Sequence, residues 1–237
     1  MTALRDPIPL GNHRACIARY LRKIASSAGT AGSVAARIIE ERLDERYAGD
    51  AVRPSLVLWA CTAGNGNVAD ALPVAAAFDL FDRFLLLHDE LADESAIATV
   101  ARWGLGQSLN AGDALYALAF RSLAIDVSEP SRRLRTARLV GQAVLEAIAK
   151  GGDNIARGAV LTAAALEAGA VIAGSPDSVA RAYAEAGRLL SEAAVCSDPA
   201  LAQRASRRAV AALRRHTLPD DVATFEEVAC YVARQAA

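Results

Sequence analysis

Phe84-Leu85-Leu86-Leu87-His88-Asp89-Glu90-Leu91-Ala92-Asp93-Glu94 carries an apolar run straight into four carboxylates, Asp89, Glu90, Asp93 and Glu94. The preceding segment, 68–87, is apolar on most sides and is interrupted only by Asp70, Asp79, Asp82 and Arg83. A helix of that composition belongs inside a helical domain. Asp89 and Asp93 are four residues apart, so their side chains share one helical face about one turn apart. Carboxylates that close repel each other unless a cation lies between them. Magnesium takes a few carboxylates together with water and a phosphate oxygen. The stretch therefore predicts a magnesium–diphosphate site at the mouth of an apolar cavity. The same spacing also occurs on solvated helix faces, so the surroundings must decide.

Those surroundings are helical. The chain has 237 residues, of which 53% are hydrophobic, enough for a sizeable core. Alanine and leucine dominate and β-branched runs are scarce, which favours close helix packing. A net charge of −1 implies no bulk attraction to nucleic acid or to an anionic membrane. The basic clusters within 132–138 and 204–215 alternate with apolar residues at helical spacing and read as solvated faces. Cys16, Cys61, Cys196 and Cys230 are scattered, without a Cys-x-x-Cys pair. Free, mostly buried thiols in a reducing compartment are expected. The N-terminal residues lack a basic-then-apolar signal pattern, and every long apolar run is interrupted by Asp, Arg or Gly. A cytoplasmic protein without a stable membrane anchor is expected.

Periodicity and breakers predict helices over 13–27, 33–47, 53–63, 68–93, 105–125, 131–149, 155–173, 178–197, 200–215 and 222–234, with no convincing strand. The breaks fall at Gly49-Asp50, Gly64-Asn65-Gly66, Ser128-Glu129-Pro130, Lys150-Gly151-Gly152, Gly174-Ser175-Pro176-Asp177, Pro199 and Leu218-Pro219-Asp220. Most connections are short, so successive helices should pack antiparallel. No linker marks a boundary, and the expectation is one all-α domain over 1–237.

Four local motifs, in this order, resemble the trans-type polyprenyl synthetase family. These are the all-helical isoprenyl diphosphate synthases, relatives of class I terpene synthases. Arg53-Pro54-Ser55-Leu56 looks like the end of the family's Gly-Lys-Arg-x-Arg-Pro motif. Ala71-Leu72-Pro73-Val74 looks like the start of its long fourth helix. His88-Asp89-Glu90-Leu91-Ala92-Asp93 is similar to the first aspartate-rich motif, with Glu90 for the second aspartate. Ala111-Gly112-Asp113-Ala114-Leu115 is similar to Ala-Gly-Asp-x-Leu. The resemblance runs from about Ser33 to the end and implies a helical bundle of the isoprenoid synthase type. It also implies magnesium held by Asp89, Asp93 and Glu90, and an allylic prenyl diphosphate as ligand. Asp89 and Asp93 would ionise that ligand, with Arg53, Phe84, Leu85 and Arg157 on the substrate side. Arg157 falls where the family has the lysine that contacts the allylic diphosphate. Phe84, five residues before Asp89, falls where an aromatic closes the cavity floor in short-chain synthases. A homodimer, or a heterodimer with a related synthase, is implied as well.

Departures from the pattern shape the functional expectation. Where the second aspartate-rich motif should stand, the chain reads Ser191-Glu192-Ala193-Ala194-Val195-Cys196. Valine and cysteine offer magnesium no hard oxygen donor. Glu192 and Asp198 remain nearby, as a solvated acid and a helix cap or as substitute ligands. Gly49-Asp50-Ala51-Val52-Arg53 keeps only the last cation of the family's basic motif, and no Arg-Arg-Gly follows Asp93. A phosphate site needs several cations or amide donors. The site for isopentenyl diphosphate therefore looks dismantled while the allylic site persists. That favours a prenyltransferase or terpene-synthase-like enzyme acting on a short allylic diphosphate. The alternatives are a weak or inactive regulatory subunit of a heteromeric synthase, and an ordinary short-chain synthase.

Overall fold

The structure is a computed structural model that describes residues 8–27, 34–44, 52–92 and 97–235. These form helices α1 (Ile8–Ser27), α2 (Val34–Asp44), α3 (Val52–Ala63), α4 (Val68–Ala92), α5 (Ile97–Trp103), α6 (Leu105–Asp126), α7 (Pro130–Ala149), α8 (Asn154–Ala173), α9 (Asp177–Val195), α10 (Pro199–Leu213) and α11 (Pro219–Gln235). No strand occurs among the described residues. Ten of these helices match the sequence reading to within a few residues. The eleventh, α5, is seven residues long and follows a segment outside the described residues. Seven residues are too few to display a periodic pattern.

Local chemistry sets several boundaries. Glu129 caps α7 by accepting from the backbone N–H groups of Ser131 and Arg132, with Pro130 in the first turn. These bonds, with one from the Ser131 hydroxyl, draw its carboxyl pKa down to about 2. Asp153 caps α8 through the Ala156 N–H, and Asp198 caps α10 ahead of Pro199. α8 ends at Gly174, whose φ of 83° is the left-handed conformation glycine adopts without strain.

α4 lies at the centre, packed against α3, α6 and α8. α8 in turn meets α3, α7 and α9. α3 shows how one helix serves two cores. Leu56, Trp59, Ala60 and Ala63 follow i, i+3, i+4, i+7 spacing and join Leu166, Ala170, Tyr183 and Phe225. The Trp59 ring stacks on Phe225 with centroids 4.9 Å apart. On the opposite side of α3, Val57, Leu58 and Cys61 join the α4 core with Phe78, Phe81 and Leu87. α3 and α8 touch closely because residue 169 is glycine. A Cβ there would stand 2.4 Å from the Val57 carbonyl oxygen.

α8 is long and apolar enough to cross a membrane, but it is enclosed by its neighbouring helices. All four cysteines are free, and the expectation of mostly buried thiols needs correction. Only Cys61 is buried, while Cys16 and Cys230 are exposed and Cys196 is intermediate. Hydropathy ranks cysteine as a core residue, but α1 and α11 carry theirs on the outward face.

Candidate functional site

The carboxylate-rich end of α4 meets the first turn of α8. Arg157 donates from Nη1 to Asp89 Oδ1 at 2.8 Å and from Nη2 to Oδ2 at 2.7 Å. This fork-to-fork geometry is the strong form of an arginine–carboxylate pair. Arg157 Nη1 also donates to the Gly151 carbonyl oxygen at 2.9 Å, which ties the guanidinium to the α7–α8 turn. The Arg157 side chain is only 9% exposed, whereas that of Asp89 is 43% exposed. The pair therefore has a protein side and a solvent side. It also lies at the N-terminal end of α8, where the helix dipole favours an anion.

Glu90 turns the other way. Arg42 of α2 donates to Glu90 Oε1 at 2.8 Å and Oε2 at 2.6 Å, and also to Thr99 Oγ1 at 2.9 Å. Glu90 is thus engaged by a second bidentate arginine. Asp93, the other expected ligand, lies outside the described residues, as do Asp50 and Glu94. Among the described residues, no group of three His, Cys, Asp or Glu side chains is placed to hold a metal ion. Asp89 nevertheless suits magnesium. It offers hard oxygens and is half open to solvent, and this ion commonly uses one or two carboxylates with water and substrate phosphates.

Beneath Asp89 the structure holds a second polar layer that sequence reasoning missed. Asp82, seven residues earlier on the same face of α4, is 5% exposed. Its carboxylate pairs with Arg53 of α3. Arg53 Nε also donates to Thr162 Oγ1 of α8 at 3.3 Å. Arg53, expected at the diphosphate, is engaged one level below the Asp89–Arg157 pair. Burial pushes the Asp82 pKa up to about 6, and Asp79 adds to the rise, against the opposing pull of Arg53 and Arg83. Asp79 and Arg83 form a further buried pair along α4, at 2.5 Å. The seven-residue step from Asp82 to Asp89 and the four-residue step from Asp79 to Arg83 were the available signals.

Phe84 and Leu85 are both buried. The Phe84 ring packs against His88 with centroids 4.5 Å apart and against Tyr116 of α6 at 5.3 Å. Phe81 and Phe120 extend this aromatic cluster. Five residues of helix turn Phe84 about 140° away from Asp89, so it faces α6 and Asp89 faces α8. Gly112 allows that contact, because a Cβ there would lie 2.5 Å from His88 Nε2. That nitrogen is buried and finds no hydrogen-bond partner.

The last turns of α9 bring no acid to the site. Ser191 Oγ donates to the Gly158 carbonyl oxygen at 3.1 Å, beside Arg157. Glu192 is paired with Arg188 on the surface, and Asp198 serves as the α10 cap. Val195 is exposed.

Comparison with known proteins bears on the family and the fold. The polyprenyl synthetase family model matches residues 37–152, a span that includes Asp89 and stops five residues before Arg157. Geranylgeranyl diphosphate synthase of Methanosarcina mazei is 32% identical over 166 residues, covering 60% of this chain and 51% of that protein. (2E,6E)-Farnesyl diphosphate synthase of Mycobacterium tuberculosis is 36% identical over 162 residues, covering 59% and 45%. The chain thus spans about half the length of the curated relatives it matches. Among solved structures, a geranyltransferase from Legionella pneumophila superposes with a TM-score of 0.82 at 14% identity, covering 96% of each chain. That likeness establishes the all-α fold of this class of synthases.

Proposed function

We propose that this chain, which belongs to the polyprenyl synthetase family, is a prenyltransferase or terpene-synthase-like enzyme that ionises a short allylic diphosphate. The observation that carries this reading is the Asp89–Arg157 pair joining α4 to α8. One acid and one base stand side by side at the open end of an apolar helix. Asp89, together with Asp93 four residues later in the sequence, would hold magnesium against the diphosphate. Magnesium, when bound, supplies the positive charge that draws electrons toward the leaving diphosphate. Arg157 can bind two phosphate oxygens through its fork. The Phe84 side of α4 supplies apolar surface for the hydrocarbon chain and excludes water from it.

The acceptor is proposed to be something other than isopentenyl diphosphate. Arg53 is held by Asp82 and Thr162, and the basic residues that usually accompany it are absent from the sequence. The test is calorimetric titration of geranyl and farnesyl diphosphate with and without magnesium. Magnesium-dependent binding in the wild type that is lost in Asp89→Ala and Asp93→Ala is the expected result. Binding that survives both substitutions would overturn the reading.

A second reading follows from α9. Val195 and Cys196 stand where the family resemblance would put the facing pair of carboxylates that completes the metal site. A chain without them suits a subunit that works beside a complete synthase and tunes its product. Co-purification with such a synthase, and a change in its product length, would favour this alternative.

A further inference from the structure

Asp89 and Arg157 engage each other so completely that neither is ready for a lone ion. Both oxygens of Asp89 accept from Arg157, and both terminal nitrogens of Arg157 donate to Asp89. A cation approaching Asp89 by itself meets the guanidinium charge immediately behind the carboxylate. An anion approaching Arg157 by itself meets the carboxylate in front of it. Either ion that takes the partner's place alone breaks a bidentate pair and leaves one charged group uncompensated. For Arg157 that penalty is large, because its side chain is only 9% exposed.

We infer that Arg157 is an internal counter-ion that makes metal and diphosphate bind this site together. This rests on the reading proposed above, that Asp89 holds magnesium against a diphosphate. When both ions arrive, Asp89 exchanges the guanidinium for the metal and Arg157 exchanges the carboxylate for phosphate oxygens. Once both are bound, each of the two side chains again has a partner of opposite charge. The Gly151 carbonyl prepares it, since its 2.9 Å bond to Nη1 holds the guanidinium at the mouth of the site after Asp89 lets go. Asp89 is the half-exposed member of the pair and faces the solvent from which the ions arrive. The consequence is a protein that ignores free magnesium and responds to the metal–diphosphate complex. Coupling of this kind is reciprocal, so diphosphate tightens the metal as much as the metal tightens diphosphate.

The experiment measures manganese binding, as a spectroscopic stand-in for magnesium, by electron paramagnetic resonance and calorimetry. Wild type, Arg157→Gln and Arg157→Lys are compared, each with and without inorganic diphosphate, after thermal melting shows that they are folded. Diphosphate binds manganese in solution too, but that contribution is the same for every variant and cancels in the comparison. Arg157→Gln should bind manganese alone about tenfold more tightly than the wild type and gain correspondingly less from diphosphate. Arg157→Lys, which keeps the charge without the fork, should fall between them and serves as the test variant if Arg157→Gln does not fold. Equal manganese affinity and equal gain in all three proteins would overturn the inference while leaving the site reading intact. Failure of every protein to take up manganese, with diphosphate or without, would overturn the site reading and this inference with it.

Discussion

Asp82 lies seven residues before Asp89 on the same face of α4, and each carboxylate is held by an arginine from a different helix, Arg53 from α3 and Arg157 from α8. The two pairs differ in burial. Asp89 is half open to solvent, whereas Asp82 is closed off and its proton affinity is raised.

That difference gives a pH dependence with a definite sign. The folded protein holds a proton on Asp82 up to about pH 6, while the unfolded chain releases it in the ordinary carboxylate range. Between those values the native state binds more protons, so stability falls as pH rises. The slope approaches the limit set by one proton, and the whole contribution is of the order of a few kcal/mol. Urea unfolding of wild type and Asp82→Asn across pH 4–7 checks this. The variant should lose the contribution, and an unchanged slope would assign it to another group.

Isopentenyl diphosphate should not be a productive co-substrate. Arg53 is engaged by Asp82 and Thr162 rather than left available for phosphate. The measurement is incorporation of labelled isopentenyl diphosphate with geranyl or farnesyl diphosphate as primer. The expected outcome is no elongation above background. Efficient elongation by the purified protein would restore the ordinary synthase reading.

Phe84 is expected to limit the length of the bound chain. Its ring fills the space between His88 and Tyr116. Phe84→Ala should cost about 3–5 kcal/mol in stability, because the ring is buried. In folded protein it should shift preference toward longer chains among ten-, fifteen- and twenty-carbon diphosphates. An unchanged order would make Phe84 a packing residue alone and place the cavity floor elsewhere.

Gly112 and His88 should behave as one unit. Gly112→Ala places a methyl group against the imidazole and should destabilise by about 1–3 kcal/mol. Removing the imidazole as well, in His88→Ala/Gly112→Ala, should recover much of the Gly112→Ala loss. Thermal or denaturant unfolding of the four proteins in the cycle reads the coupling. Additive losses would mean that the glycine is required for another reason.

The helix order was legible because its punctuation is local. Glu129, Asp153 and Asp198 cap helices through backbone groups two or three residues away, and Gly174 ends α8 by its own φ. The family resemblance was legible for a similar reason, since each motif is contiguous. Short α5 gave no periodic signal, and the exposure of Cys16 and Cys230 depended on which face of α1 and α11 the bundle covered.

The sequence by itself therefore determined an all-α chain, the positions of its breaks, and an acidic motif at the end of a long apolar helix. Tertiary structure alone decided which base answers which acid. Asp89 and Arg157 are 68 residues apart, Arg42 and Glu90 are 48 apart, and Arg53 and Asp82 are 29 apart. Spacing along a helix reveals neighbours within about one turn, up to four residues away. Pairing across helices depends on which faces the core brings together, and apolar burial, which is indifferent to the identity of the charged residues, sets that arrangement.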